Sequence, residues 1–216
     1  MKKEPLVFTK SLFVCFVLYI TALFASNTLG LKLMPFLFGT QLSVAVFFFP
    51  IVFIMTDIVG EVYGKRYSKL FVFGGLLSII LYLIMSIISG VLPWSSNSLW
   101  IKDSYNTVFS ISFRMSVASV IAFAIAEYQD VSVFFFVKKY FGEKFLWLRS
   151  LLSNIWSQFL DTTIWTLIAF AGTYSSSKII GIIIPWWIYK VFMGFMYTPL
   201  IYYGKHLLNK FKNNEN

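Results

Sequence analysis

Charge is scarce in this chain. Only 12% of its 216 residues are Asp, Glu, Lys or Arg, against 58% hydrophobic and 20% aromatic. A soluble domain carries about 25% charged residues to keep its surface wet. That excludes a water-facing globule, and the surplus apolar surface must face lipid. Cysteine and histidine number one each. A lone Cys15, placed in an apolar run, excludes an intramolecular disulfide and reads as a packing residue. With His206 as the single imidazole, just past the last apolar run, neither a zinc-ligand set nor a Ser-His-Asp arrangement can be built. Gly60-Glu-Val-Tyr-Gly64-Lys65-Arg66 glances toward a phosphate loop, but it lacks a spacer residue and has Arg66 where Ser or Thr would hold magnesium. Asp57, Asp130 and Asp161 leave two-aspartate intramembrane catalysis formally open, without a motif to carry it. No enzyme, catalytic residue, cofactor or metal is therefore expected.

Long apolar runs are what the chain has. They fall near 11–31, 41–59, 70–92, 107–130, 150–171 and 179–203, with separators carrying loop punctuation such as Pro35, Gly39, Pro93 and Gly172. A helix needs about 20 mostly apolar residues to cross a hydrocarbon core roughly 30 Å thick. The expectation is an all-α integral membrane protein of about six transmembrane helices, a single bundle over 1–216 with no separate soluble domain. Run length and the lack of alternating strands favour helices over a barrel. Lys2 and Lys3 before Leu12–Ile20 imitate a secretory signal, but the run continues to Leu31, so it reads as an uncleaved first span.

Charge sets the orientation. Lys2, Lys3 and Lys10 precede the first run; Lys65, Arg66 and Lys69 follow the second; Lys138, Lys139, Lys144 and Arg149 follow the fourth; Lys205, Lys210 and Lys212 follow the sixth. The alternate separators hold only Lys32, Lys102 and Lys178. Positive-inside insertion produces this segregation and places both termini in the cytoplasm. It also explains 18 Lys+Arg against 9 Asp+Glu without invoking nucleic acid. The fourth run is ambiguous: continued through Val131–Val137 it makes a helix ~45 Å long, which either projects into the cytoplasm or bends near Asp130.

A charge at a helix centre costs about 2.5–3.5 kcal/mol even on the lenient insertion scale. Arg114, Asp161 and Lys190 need an explanation against that cost. Helical rise puts Asp161 and Lys190 near the midplane, and Arg114 about two turns in from the outer side, level with Asn27. Asp57, Glu61, Glu127 and Asp130 lie toward the cytoplasmic ends of the second and fourth runs. Polar groups at three depths suit a solute path. Structural alternatives stand beside this reading: ion pairs of Asp57 or Glu61 with Lys65, Arg66 or Lys69, an Asp161–Lys190 bridge, and a snorkelling Arg114. Trp94, Trp100, Trp186 and Trp187 fit an outer aromatic belt, whereas Trp156 and Trp165 flank Asp161.

Ser26-Asn27, the run Phe49-Pro50 to Thr56-Asp57 with Glu61-x-Tyr63-Gly64, Arg114 with Ala118-Ser119, Asp130-Val131 with Phe134, Arg149, Ser153, Asp161-Thr162, Lys190 and Pro199 together resemble the queuosine-precursor transporter family, the vitamin-uptake-like membrane proteins of bacteria. The resemblance covers nearly the whole chain. It implies residence in the bacterial cytoplasmic (inner) membrane and uptake of a deazaguanine base or queuine for tRNA modification. The substrate-binding residues it implies are Asn27, Asp57, Arg114, Asp130, Asp161 and Lys190, with Trp156 as a stacking surface. Glu127 matches no position in the pattern and receives no role from it.

The chemistry of such a substrate is compatible with these residues. A guanine-like edge has two adjacent N–H donors and a carbonyl; a carboxylate accepts both donors while Lys, Arg or Asn donates to the carbonyl. The alternatives are a substrate-binding subunit of an ATP-driven uptake complex and a structural membrane protein with a polar core. Expected partners are membrane lipid and the small-molecule substrate, not nucleic acid; the coupling ion is unspecified, and a homodimer stands open beside a monomer.

Overall fold

The structure is a computed structural model and describes residues 8–29, 32–35, 41–109, 113–142, 144–170, 172 and 175–215. Helices dominate: α1 (Lys10–Leu29), α2 (Ala45–Val62), α3 (Lys65–Val91), α4 (Lys102–Phe109), α5 (Phe113–Phe141), α6 (Leu146–Phe170) and α7 (Ser176–Glu215). Two short antiparallel strands, β1 (Leu33–Pro35) and β2 (Gln41–Ser43), pair between α1 and α2 with Met34 opposite Leu42. A 3-10 turn (Ser96–Ile101) leads into α4.

The fold is an all-α membrane protein. Four helical stretches, Lys10–Leu29, Lys65–Val91, Val117–Phe141 and Ile179–Lys212, are long and apolar enough to cross a bilayer by length and composition. The remaining long helices, α2 and α6, also carry buried polar residues, and polar residues can stay in a span that packs inside a bundle. On α3 both faces are apolar. Phe71, Val72 and Ile79 are buried while Phe73, Leu77, Ile84, Met85 and Ile88 are exposed, as expected of a helix between a protein core and lipid.

Side-chain contacts fix the helix directions. Tyr63 shares hydrogen bonds with Thr9 and Ser11 at 3.0 and 2.8 Å, folding the start of α1 onto the end of α2. Phe16 meets Phe71 at 5.2 Å and Phe24 meets Tyr82 at 5.1 Å, so α1 and α3 run parallel. Ser157 on Asp130 and Trp165 on Ser119 make α5 and α6 antiparallel. Lys190 over Phe49 and Lys205 on Glu61 make α2 and α7 parallel. The helices α1, α3 and α6 therefore oppose α2, α5 and α7. The start of α1, the α2–α3 corner, the end of α5, the start of α6 and the last part of α7 gather at one end.

Small residues permit the close approaches. A Cβ at Gly194 of α7 would overlap the Asn154 side chain of α6, and one at Gly75 of α3 would stand 2.6 Å from the Tyr19 hydroxyl of α1. Membrane helices pack through such positions.

The boundaries differ from expectation in two places. Residues 41–43, expected to open the second span, form a strand. The last helix contains Pro185 and Pro199 and continues to Glu215, well past the expected end of the sixth span at 203. Of the two readings of the fourth segment the continuous one holds: α5 runs unbroken to Phe141, about 44 Å at helical rise.

Candidate functional site

One face of α6 is polar throughout. Ser150, Ser153, Asn154, Ser157, Gln158 and Thr162 are all buried, and their spacing of three and four residues forms a continuous stripe. The stripe meets the acidic residues of α2 and α5. Ser157 Oγ donates to Asp130 Oδ1 at 2.9 Å. The Ser150 side chain hydrogen-bonds to Asp57. Ser153 stands beside Asp130, its Oγ donating to the Ser150 carbonyl at 3.1 Å. Asp57 and Asp130, with 4% and 1% exposure, are thereby brought together, and the charges of Arg149 and Glu61 also bear on Asp57.

Glu127 lies one turn above Asp130 on α5 and is wholly buried. The Thr56 hydroxyl of α2 stands beside it, but Thr56 Oγ1 donates to the Phe53 carbonyl at 2.9 Å. Among the described residues neither Glu127 oxygen receives a hydrogen bond, and Asp130 Oδ2, Gln158 Oε1, the Tyr19 hydroxyl and the Thr162 hydroxyl are likewise buried without a hydrogen-bonding partner. Buried polar groups in folded proteins are nearly always satisfied. A concentration of unsatisfied acceptors at one level of a bundle marks a place built to meet something else.

Below this level Glu61 ties four helices together. Its carboxylate meets Arg149 Nη1 of α6 at 2.9 Å, Lys138 Nζ of α5 at 3.2 Å and Lys205 Nζ of α7 at 2.8 Å. Arg149 is fully buried, its guanidinium 5.2 Å from the centre of the Phe134 ring. Of the local partners suggested by sequence, Lys65 and Lys69 turn to aromatic rings. Gly64 at φ 92° breaks the helix between Glu61 and Lys65, so the i, i+4 geometry is lost; Lys65 lies over Phe135 and Lys69 over Tyr128 instead.

Above it Lys190 Nζ meets Asp161 Oδ2 at 2.7 Å, with side chains 23% and 14% exposed. The two residues expected at one depth are thus in direct contact, and the charge of Asp161 also bears on Glu127. Other expected residues lie elsewhere. Asn27 donates its amide back to the Leu23 carbonyl at 2.8 Å near the far end of α1. Trp156 is 46% exposed and packs beside Phe159 on the outside of α6. Trp187, expected in an outer belt, turns inward and donates to the Ile155 carbonyl at 3.0 Å. The Arg114 side chain lies outside the described residues. Among the described residues no group of His, Cys, Asp and Glu converges as a metal ion would require.

Glu127, Gln158 and Arg149 were missed as site residues. The polar stripe of α6, legible at three-and-four spacing, was the signal that would have found Gln158.

Residues 43–204 match the family described as "Putative vitamin uptake transporter". A curated relative, "Probable queuosine precursor transporter" of Bacillus subtilis (strain 168), is 27% identical over 174 residues, covering 80% of this chain and 75% of the relative. No solved structure matches. The family match spans well over half of the chain and includes α2, α3, α5, α6 and most of α7, the helices that carry the acidic residues, the polar stripe and the ion pairs: this chain belongs to the vitamin uptake transporter family, as a multi-pass protein of the cytoplasmic membrane.

Proposed function

We propose that the chain is a transporter and not an enzyme, importing queuosine precursors (deazaguanine bases or queuine) for tRNA modification without an ATPase of its own. The observation that carries this reading is the buried, acceptor-rich level where α2, α5 and α6 meet, in a chain similar to a curated queuosine precursor transporter. The ligand of such a site must be rich in N–H donors, which deazaguanine bases are.

The proposed arrangement is a single bundle crossing the membrane six times, with both termini in the cytoplasm. The alternating helix directions support it, as does the gathering of Lys138, Arg149, Lys205 and Lys212 at one end beside the start of α1. In this reading Asn27, Arg114, the Asp161–Lys190 pair, Asp57 and Asp130 line successive levels of the path. The Glu61 junction closes its cytoplasmic end. Trp156 faces outward and is left out.

The test is complementation. In a bacterial host lacking its own transporter and unable to make the precursor, expression restores queuosine in tRNA at low external precursor. If the modification stays absent with every deazaguanine supplied, despite good membrane expression, the reading is wrong.

A further inference from the structure

We propose that Glu127 is a specificity-determining residue, its carboxylate receiving the paired N–H and NH2 donors of a guanine-type edge. The inference rests on the transport reading above and names the residue that discriminates within it.

Three observations converge on Glu127. First, it is completely buried, yet among the described residues neither oxygen accepts a hydrogen bond. A carboxylate offers about four lone-pair sites, and a buried one left unpaired costs several kcal/mol, so it is retained for what it meets. Second, four other carboxylates of the bundle have partners. Asp161 holds Lys190 at 2.7 Å, Glu61 holds three cations, Asp130 takes Ser157, and Asp57 takes Ser150. Third, independent side chains on other helices are unsatisfied at the same level. The Tyr19 hydroxyl of α1 is fully buried with the Glu127 charge bearing on it. The register set by Ser157 on Asp130 brings Gln158 of α6 level with Glu127, and its Oε1 is also unpartnered.

The chemistry of the missing partner follows. Glu127 Oε1 and Oε2, Asp130 Oδ2 and Gln158 Oε1 are all acceptors, while Arg149 and Lys190 bond to Glu61 and Asp161. The ligand must bring several N–H groups of its own. Two adjacent parallel donors fit a carboxylate bidentately, the strongest neutral-ligand geometry available to it. A guanine-type ring presents such a pair, with further ring N–H for Asp130 and Gln158. Because Glu127 is sealed in this conformation, the ligand reaches it when the helices part.

The experiment compares two ligands on purified protein: 7-deazaguanine and 7-deazahypoxanthine, which lacks only the exocyclic amine. A site built to hydrogen-bond a group rejects the analogue lacking it strongly, so the wild-type chain prefers the amino base by at least about 100-fold. In Glu127→Gln the amide can accept from the ring N–H and donate to the ring carbonyl, an edge both bases share, and the ratio falls to about 1. A merely structural role lowers both affinities and leaves the ratio. An unchanged ratio in Glu127→Gln, or a collapse confined to Asp161→Asn, overturns the proposal. If Glu127→Gln does not fold, Glu127→Asp is read in its place, since withdrawing the carboxylate by one carbon also lowers the ratio. Wild-type protein that binds neither base defeats the transport reading itself, and this inference with it.

Discussion

The Asp161–Lys190 pair offers the sharpest single perturbation. At 2.7 Å, with side chains 14% and 23% exposed, it is a largely sheltered ion pair. Removing one partner from a buried pair costs about 3–5 kcal/mol because the other charge is stranded. Partial exposure places this pair near the low end, about 3 kcal/mol, for Asp161→Asn or Lys190→Met alone. At about 2–4 °C per kcal/mol for a chain of this length, each single variant melts roughly 6–12 °C lower. The double variant leaves no stranded charge, and replacement by neutral groups of similar size is much milder, about 1 kcal/mol. Melting of the detergent-purified protein reads stability, and uptake into cells reads function. If the pair lines the path, both singles and the double lose uptake while the double regains most of its melting temperature. Recovered uptake in Asp161→Asn/Lys190→Met reduces the pair to a structural bridge and refutes its place in transport.

Two further outcomes follow from the same structure. A cysteine at Ser96 reacts with an impermeant thiol reagent in intact cells and one at Lys210 does not; the opposite pattern reverses the orientation. At the cytoplasmic junction, Arg149→Met destabilises by about 3–5 kcal/mol because Arg149 is fully buried on Glu61. Lys205→Met, at a side chain 33% exposed, costs no more than about 1 kcal/mol, and equal losses by thermal melting contradict this ranking.

What was legible in the sequence was whatever membrane burial makes expensive. Asp57, Asp130, Asp161 and Lys190 stood out because a charge inside an apolar run demands a partner, and the Asp161–Lys190 contact followed from depth alone. What was not legible depended on helix faces and remote partners. Glu61 draws its cations from residues 138, 149 and 205, which no local pattern connects to it, while the local candidate Lys65 is turned away by Gly64. Trp156 lies five residues before Asp161, about 140° around the helix, so proximity in sequence meant opposite sides. Glu127 stands near the end of the fourth apolar run in the sequence, and the unbroken course of α5 to Phe141 sets it inside the bundle.

The central claim is that this single chain moves a deazaguanine across a bilayer by itself. Purified protein reconstituted into liposomes, supplied with labelled 7-deazaguanine and tested with and without a pH or sodium gradient, addresses it directly. The account predicts saturable uptake above protein-free vesicles, competed by unlabelled base and not by adenine. Absence of saturable uptake under every gradient, from folded protein correctly inserted in the vesicles, contradicts it.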